Sequence, residues 1–117
     1  MNVSELTGAA LDWAVSVAEL DTEDGLPPPP YSTDWAQGGP IIEREHIEIR
    51  PTITEGGYRT SSSVDAIEAR IMLPNGVAEF DPSLVVSAYA PTSLIAAMRC
   101  YVTSKLGDEI YIPKELK

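Results

Sequence analysis

Apolar residues recur at helical spacing near both ends of the chain and at strand spacing between them, a pattern that predicts helices flanking a sheet. Leu6, Ala10, Trp13, Ala14 and Val17 fall at i, i+4, i+7, i+8 and i+11, the buried stripe of a helix capped by Ser4 and running to about Leu20. Leu11, Ala18 and Leu20 widen the apolar arc. Glu5, Asp12, Ser16 and Glu19 form a narrow opposite strip expected to face water. Gly8 sits inside this helix, where glycine costs about 1 kcal/mol against alanine. An acidic run from Asp21 and the prolines Pro27, Pro28, Pro29 and Pro30 then end it, since proline lacks the amide donor and fixes φ. The result is an extended connector over residues 21–30, read as a stiff linker in preference to a ligand for an aromatic-lined groove.

The period changes to two at His46, Ile47, Glu48, Ile49 and Arg50, and again from Ile67 to Leu73, predicting two half-buried strands. Gly56 and Gly57 can turn the chain between them. Pro74, Asn75 and Gly76 offer a tight hairpin into a third strand over residues 77–80, and Leu84 to Tyr89 reads as a fourth. Thr60 to Ser63 reads as a solvated loop or strand edge.

The last helix opens at Thr92 or Ser93, carries Leu94, Ile95, Met98, Tyr101, Val102 and Leu106 on one face, and stops before Gly107. Its other face holds the small residues Ala96, Ala97, Cys100, Thr103 and Ser104. A helix apolar on one side and small on the other is expected to be covered on both, by the first helix or the sheet, or by a second subunit. Ile110, Tyr111 and Ile112 form a short apolar stretch able to close a sheet edge.

Candidate chemistry concentrates in residues 31–45. Tyr31, Asp34 and Trp35 adjoin Gln37, Gly38, Gly39 and Pro40, so aromatic surface and polar groups lie beside backbone that can take positive φ and be approached closely. Two readings stand: a loop that cradles a ligand, or a tight turn at Gly38 and Gly39 into a short helix, with Trp35 plugging the core edge over Ile41 and Ile42. The glycines belong to neither a Walker loop nor a dinucleotide fingerprint. If an anion binds, Arg44, Arg99 and the amides at the start of the last helix are its expected partners, with Arg99 at the border of the apolar stripe, where its stem can rest on the core and its head reach into a cleft; the alternative, and the preferred reading, is a salt bridge to one of the many acids. His46 reads as an exposed strand residue and Cys100 as a small packing residue. One histidine and one cysteine cannot build a structural zinc site, and the carboxylates are not spaced as a calcium loop, so no metal or cofactor is expected.

Composition narrows the classes. Lysine and arginine number 8 against 18 acidic residues in 117, a formal charge of -10, which disfavours direct nucleic-acid or anionic-membrane binding and suits cationic partners. No segment approaches the ~20 apolar residues of a membrane span, and there is no signal-peptide pattern. The length suits one domain over residues 1–117.

Three strings carry a resemblance: SELTGAALDWAV from Ser4, YSTDWAQGGPIIERE from Tyr31, and LIAAMRCYVTSKLGDEI from Leu94, with IEAR at Ile67 a fourth fragment. In these the chain resembles the NinX-type proteins, small accessory products of tailed phages and prophages. The resemblance implies a phage-encoded, dispensable protein of the host cytoplasm in a family with no assigned catalytic residues. Together the readings predict an α+β domain, a small antiparallel meander packed against an N-terminal and a C-terminal helix, in a homo-oligomer. The function expected is non-enzymatic: sequestration of a nucleotide-like signal at Tyr31, Asp34, Trp35, Gln37, Gly38, Gly39, Arg44 and Arg99, modulating host defence. The alternative is an acidic inhibitor or adaptor that engages a basic host protein through the Glu5, Asp12 and Glu19 strip.

Overall fold

The protein is seen in a computed structural model that describes residues 1–19, 28–54, 57–58, 66–72 and 85–113. A 3-10 turn at Val3–Glu5 precedes three helices, α1 (Gly8–Ala18), α2 (Trp35–Glu45) and α3 (Ser93–Leu106). The strands are β1 (Glu48–Pro51), β2 (Ile53–Thr54), β3 (Gly57–Tyr58), β4 (Ile67–Met72) and β5 (Val85–Ala90). β1, β4 and β5 form an antiparallel sheet in that order, and β2 pairs with β3 in a separate two-stranded ladder. The α+β expectation holds, as do the strands at β4 and β5. The predicted hairpin at 74–76, the strand over 77–80, the loop at 60–63 and the connector before Pro28 lie outside the described residues.

α3 is the centre of the molecule. It packs on β4 and β5, while α1 and α2 pack against α3 itself. Ala96, Ala97 and Cys100 of the small face are consequently buried within the chain, as are Met98, Tyr101 and Val102, while Thr103 and Ser104 are half-buried. Thr92 caps α3, its Oγ1 accepting from the Ile95 amide at 3.2 Å, and Gly107 past its end has φ +90°. On the sheet, Ala69 and Ile71 of β4 and Ala88 and Ala90 of β5 join that core, while Glu68 pairs with Tyr89 across the ladder.

The N-terminal helix departs from expectation. Ser4 is no cap: the chain stays extended through Leu6 and Thr7, and α1 begins at Gly8. The cause is a tether, for the Val3 amide donates to the Asp108 carbonyl at 2.8 Å, the Ile110 amide to Met1 at 3.0 Å, and Asn2 bridges Glu109. Gly8 takes φ +56° at the helix start, so its freedom from a Cβ is used at the entry rather than spent in the interior.

The water-facing strip also fails. Asp12 and Ser16 are buried, because the chain after the prolines crosses that side of α1: Ser32 donates its amide to Asp12 Oδ1 at 2.8 Å. Only Glu5 remains exposed, and Glu19 is half-buried in an ion pair. The acidic strip invoked for a basic partner is therefore not a surface.

Candidate functional site

Residues 31–40 are a turn and a helix, not a cradle. The carbonyls of Pro29 and Pro30 accept from the amides of Tyr31 (2.8 Å) and Asp34 (2.9 Å), and Asp34 Oδ1 accepts from Ala36 at 2.9 Å to cap α2. Gly38 and Gly39 lie inside the helix. A Cβ at Gly38 would overlap the Tyr31 carbonyl oxygen and come within 2.7 Å of Leu94 Cδ2, so this glycine lets α2 close against the preceding turn and α3. Gly39 has ordinary room. Pro40 removes one helical bond at an exposed position, where water can take the freed carbonyl.

The helix reading thus replaces the loop, and with it the expected stacking pair separates. Tyr31 is buried, whereas Trp35 is 57% exposed, so it plugs no core edge. Gln37 is exposed. His46, expected in a strand, closes α2 instead: it takes φ +54°, its amide donates to Glu43 and that of Ile47 to Ile42, the paired bonds of a Schellman cap.

Arg44 belongs to a clamp at the helix ends. Its Nη1 and Nη2 donate to the two Glu19 oxygens at 3.0 and 2.8 Å, and its Nε to Glu45 Oε2 at 2.9 Å. Tyr101 donates to Glu19 Oε2 at 2.5 Å, Lys105 pairs with Glu45 at 3.3 Å, and the Arg44 guanidinium lies 5.7 Å from the Tyr101 ring centre. Burial alone would raise the Glu19 and Glu45 carboxyls. Hydrogen bonds from Arg44, Tyr101 and Lys105 outweigh it and hold both below the ordinary carboxylate range. Burial and the Glu19 carboxylate push the Tyr101 hydroxyl up in turn. Every donor nitrogen of Arg44 is engaged.

Arg99 is placed elsewhere. Two residues before Tyr101 on α3, it points to the opposite side, roughly 200° around the helix. It is 8% exposed, and its Nε and Nη1 donate to the carbonyls of Leu6 (2.9 Å) and Tyr89 (2.8 Å). Among the described residues no carboxylate forms an ion pair with it. Burial alone lowers its pKa from the ordinary guanidinium value, and arginine keeps its proton all the same.

This guanidinium lines a cleft of about 740 Å³ between the N-terminal segment, β5 and the end of α3. Asn2, Ser4, Thr7, Ser87, Tyr89, Thr103 and Asp108 line it with Arg99. The size is that of a small-ligand site. Tyr89 is 44% exposed and its hydroxyl donates to Glu68 Oε2 at 3.1 Å, which holds the ring beside the opening. Glu68 also accepts from Arg50 Nε at 2.8 Å.

Of the residues expected to bind a ligand, then, Arg99 alone lies in this cleft. Arg99, which the helical wheel puts at the border of the apolar stripe, lines this cleft. Asn2, Ser4 and Thr7 lie far from Arg99 in sequence and give no local signal, whereas Ser87 and Tyr89 show theirs in the polar alternation along β5. Cys100 is inert: burial pushes its thiol up to about 12, and Sγ donates to the Val86 carbonyl at 3.2 Å, as a packing residue should.

No helix among the described residues is long and apolar enough to cross a membrane. Residues 28–105, more than half of the chain, match the model of a family described as Bacteriophage P22, NinX. The matched span takes in α2, the strands β1 to β5 and most of α3, including Tyr89 and Arg99. No curated protein matches the chain.

Proposed function

The chain belongs to the phage NinX family, and on that premise we propose that it is a non-enzymatic accessory protein that sequesters a small nucleotide-like anion in the host cytoplasm. A protein that withholds such a molecule would blunt a host defence that signals through it. The observation that carries the reading is Arg99, a buried cation at a cleft, satisfied by carbonyls and by no carboxylate among the described residues. A buried charge without a counter-ion is costly, and an anionic ligand would supply one. The hydroxyls of Ser4, Thr7, Ser87 and Thr103 offer neutral partners, and the Tyr89 ring offers a face for stacking. The stacking role expected of Tyr31 and Trp35 passes to Tyr89.

Native mass spectrometry tests this on protein purified from phage-infected, defence-competent cells, compared before and after denaturation. A nucleotide-sized mass released from the wild type and absent from Arg99→Met supports the reading. A wild type that is empty, or accompanied by a host polypeptide alone, overturns it. The same spectra give the subunit stoichiometry.

A further inference from the structure

We infer that the ligand of the Arg99 cleft is a hydroxyl-rich monoanion, carrying one phosphodiester or carboxylate charge and not a polyphosphate. The inference rests on the cleft being a ligand site and adds the charge state of what enters it. Arg99 is the sole cation among the described residues that line the cleft, and two of its five N–H donors are already given to the Leu6 and Tyr89 carbonyls. Three donors remain, enough for one two-oxygen anionic group. They cannot also satisfy a second.

The rest of the lining points the same way. Ser4, Thr7, Ser87 and Thr103 present hydroxyls and Asn2 an amide, groups that pair with sugar hydroxyls but do not neutralise charge. Among the described lining residues the one acidic side chain is Asp108, which is exposed, able to accept from a diol and to repel a second negative charge. The formal charge of -10 on the whole protein adds a field that penalises each further negative charge on the ligand. Polyphosphate sites have the opposite make-up, with several cations or a stack of helix-terminal amides around the phosphates.

Titration calorimetry on the full chain tests this with three probes: 3′,5′-cyclic AMP for the phosphodiester, glucuronate for the carboxylate, and ATP without magnesium for the polyphosphate. At least one monoanion is expected to bind ten or more times tighter than ATP, and Arg99→Lys to weaken it at least tenfold. Which monoanion binds distinguishes the two sources of the charge. Asp108→Asn, a change at an exposed side chain, is expected to narrow the gap by strengthening ATP. ATP binding as tightly as either monoanion, through Arg99, would overturn the charge assignment while leaving the cleft as a site. An unchanged gap in Asp108→Asn would overturn the part given to Asp108. Failure of all three probes to bind at millimolar concentration would overturn the cleft reading and this inference with it.

Discussion

Arg44 at the end of α2 and Arg99 on α3 are the two arginines of the helices, and their surroundings are inverted. Arg44 has a half-exposed side chain yet is held by two carboxylates, a tyrosine hydroxyl and a ring face. Arg99 is nearly excluded from water yet has only two backbone carbonyls. The accessible cation is spent on joining the ends of α1, α2 and α3, and the inaccessible one keeps donors in reserve. A candidate site is better found by asking which charge is left unbalanced than by asking which is exposed.

The sharpest way to break this contrast is Arg99→Met. The Leu6 and Tyr89 carbonyls would lose their donor, and leaving buried groups unsatisfied costs roughly 1–3 kcal/mol each, so a loss of about 2–6 kcal/mol in urea unfolding is expected along with loss of ligand. Arg44→Met should cost less, about 1 kcal/mol, as expected for a well-formed but half-exposed ion pair, and leave ligand affinity unchanged. If Arg44→Met removed binding while Arg99→Met did not, the roles assigned to the two residues would have to be exchanged.

Acid titration sharpens the clamp side. Because the folded state holds the Glu19 and Glu45 carboxyls below their ordinary 4.5, it binds fewer protons than the unfolded chain there. Their contribution is fully present above about pH 4.5 and is lost as pH falls through the lower folded values. The urea midpoint of the wild type should therefore fall with acid below that point, and fall less steeply in Arg44→Met. The smallest effect is expected from Trp35→Ala, within about 0.5 kcal/mol in thermal unfolding and with ligand binding intact, since an exposed ring outside the cleft supports neither core nor site.

Much of this fold is legible in the residues. α3 could be bounded from Thr92 and Gly107 because capping chemistry is local, and the two-residue period of β4 is read directly from its side chains. Residues 35–45 mislead because Gly38, Gly39 and Pro40 favour turns by local preference, whereas the close approach of Gly38 to Leu94 of α3 is a tertiary gain that adds to the local Asp34 cap and overrides it. Asp12 and Ser16 misled for a related reason: a helical wheel shows which residues share a face, not that residues 31–32 will cover it. At the site, a wheel could place Arg99 at the edge of the core. It could not supply Asn2, Ser4 and Thr7, which are adjacent to Arg99 only in three dimensions.

The cleft is closed by bonds spanning 93 residues, from Arg99 to Leu6, and 109, from Met1 to Ile110. Contacts so distant along the chain carry the largest loop-closure entropy and form late in folding. α3 and the sheet should accordingly meet first, with the N-terminal segment joining a molecule already assembled. Pulse-labelled hydrogen exchange during refolding would then show the Val3 and Ile110 amides gaining protection after those of α3, making the candidate site the last part of the protein to come into being.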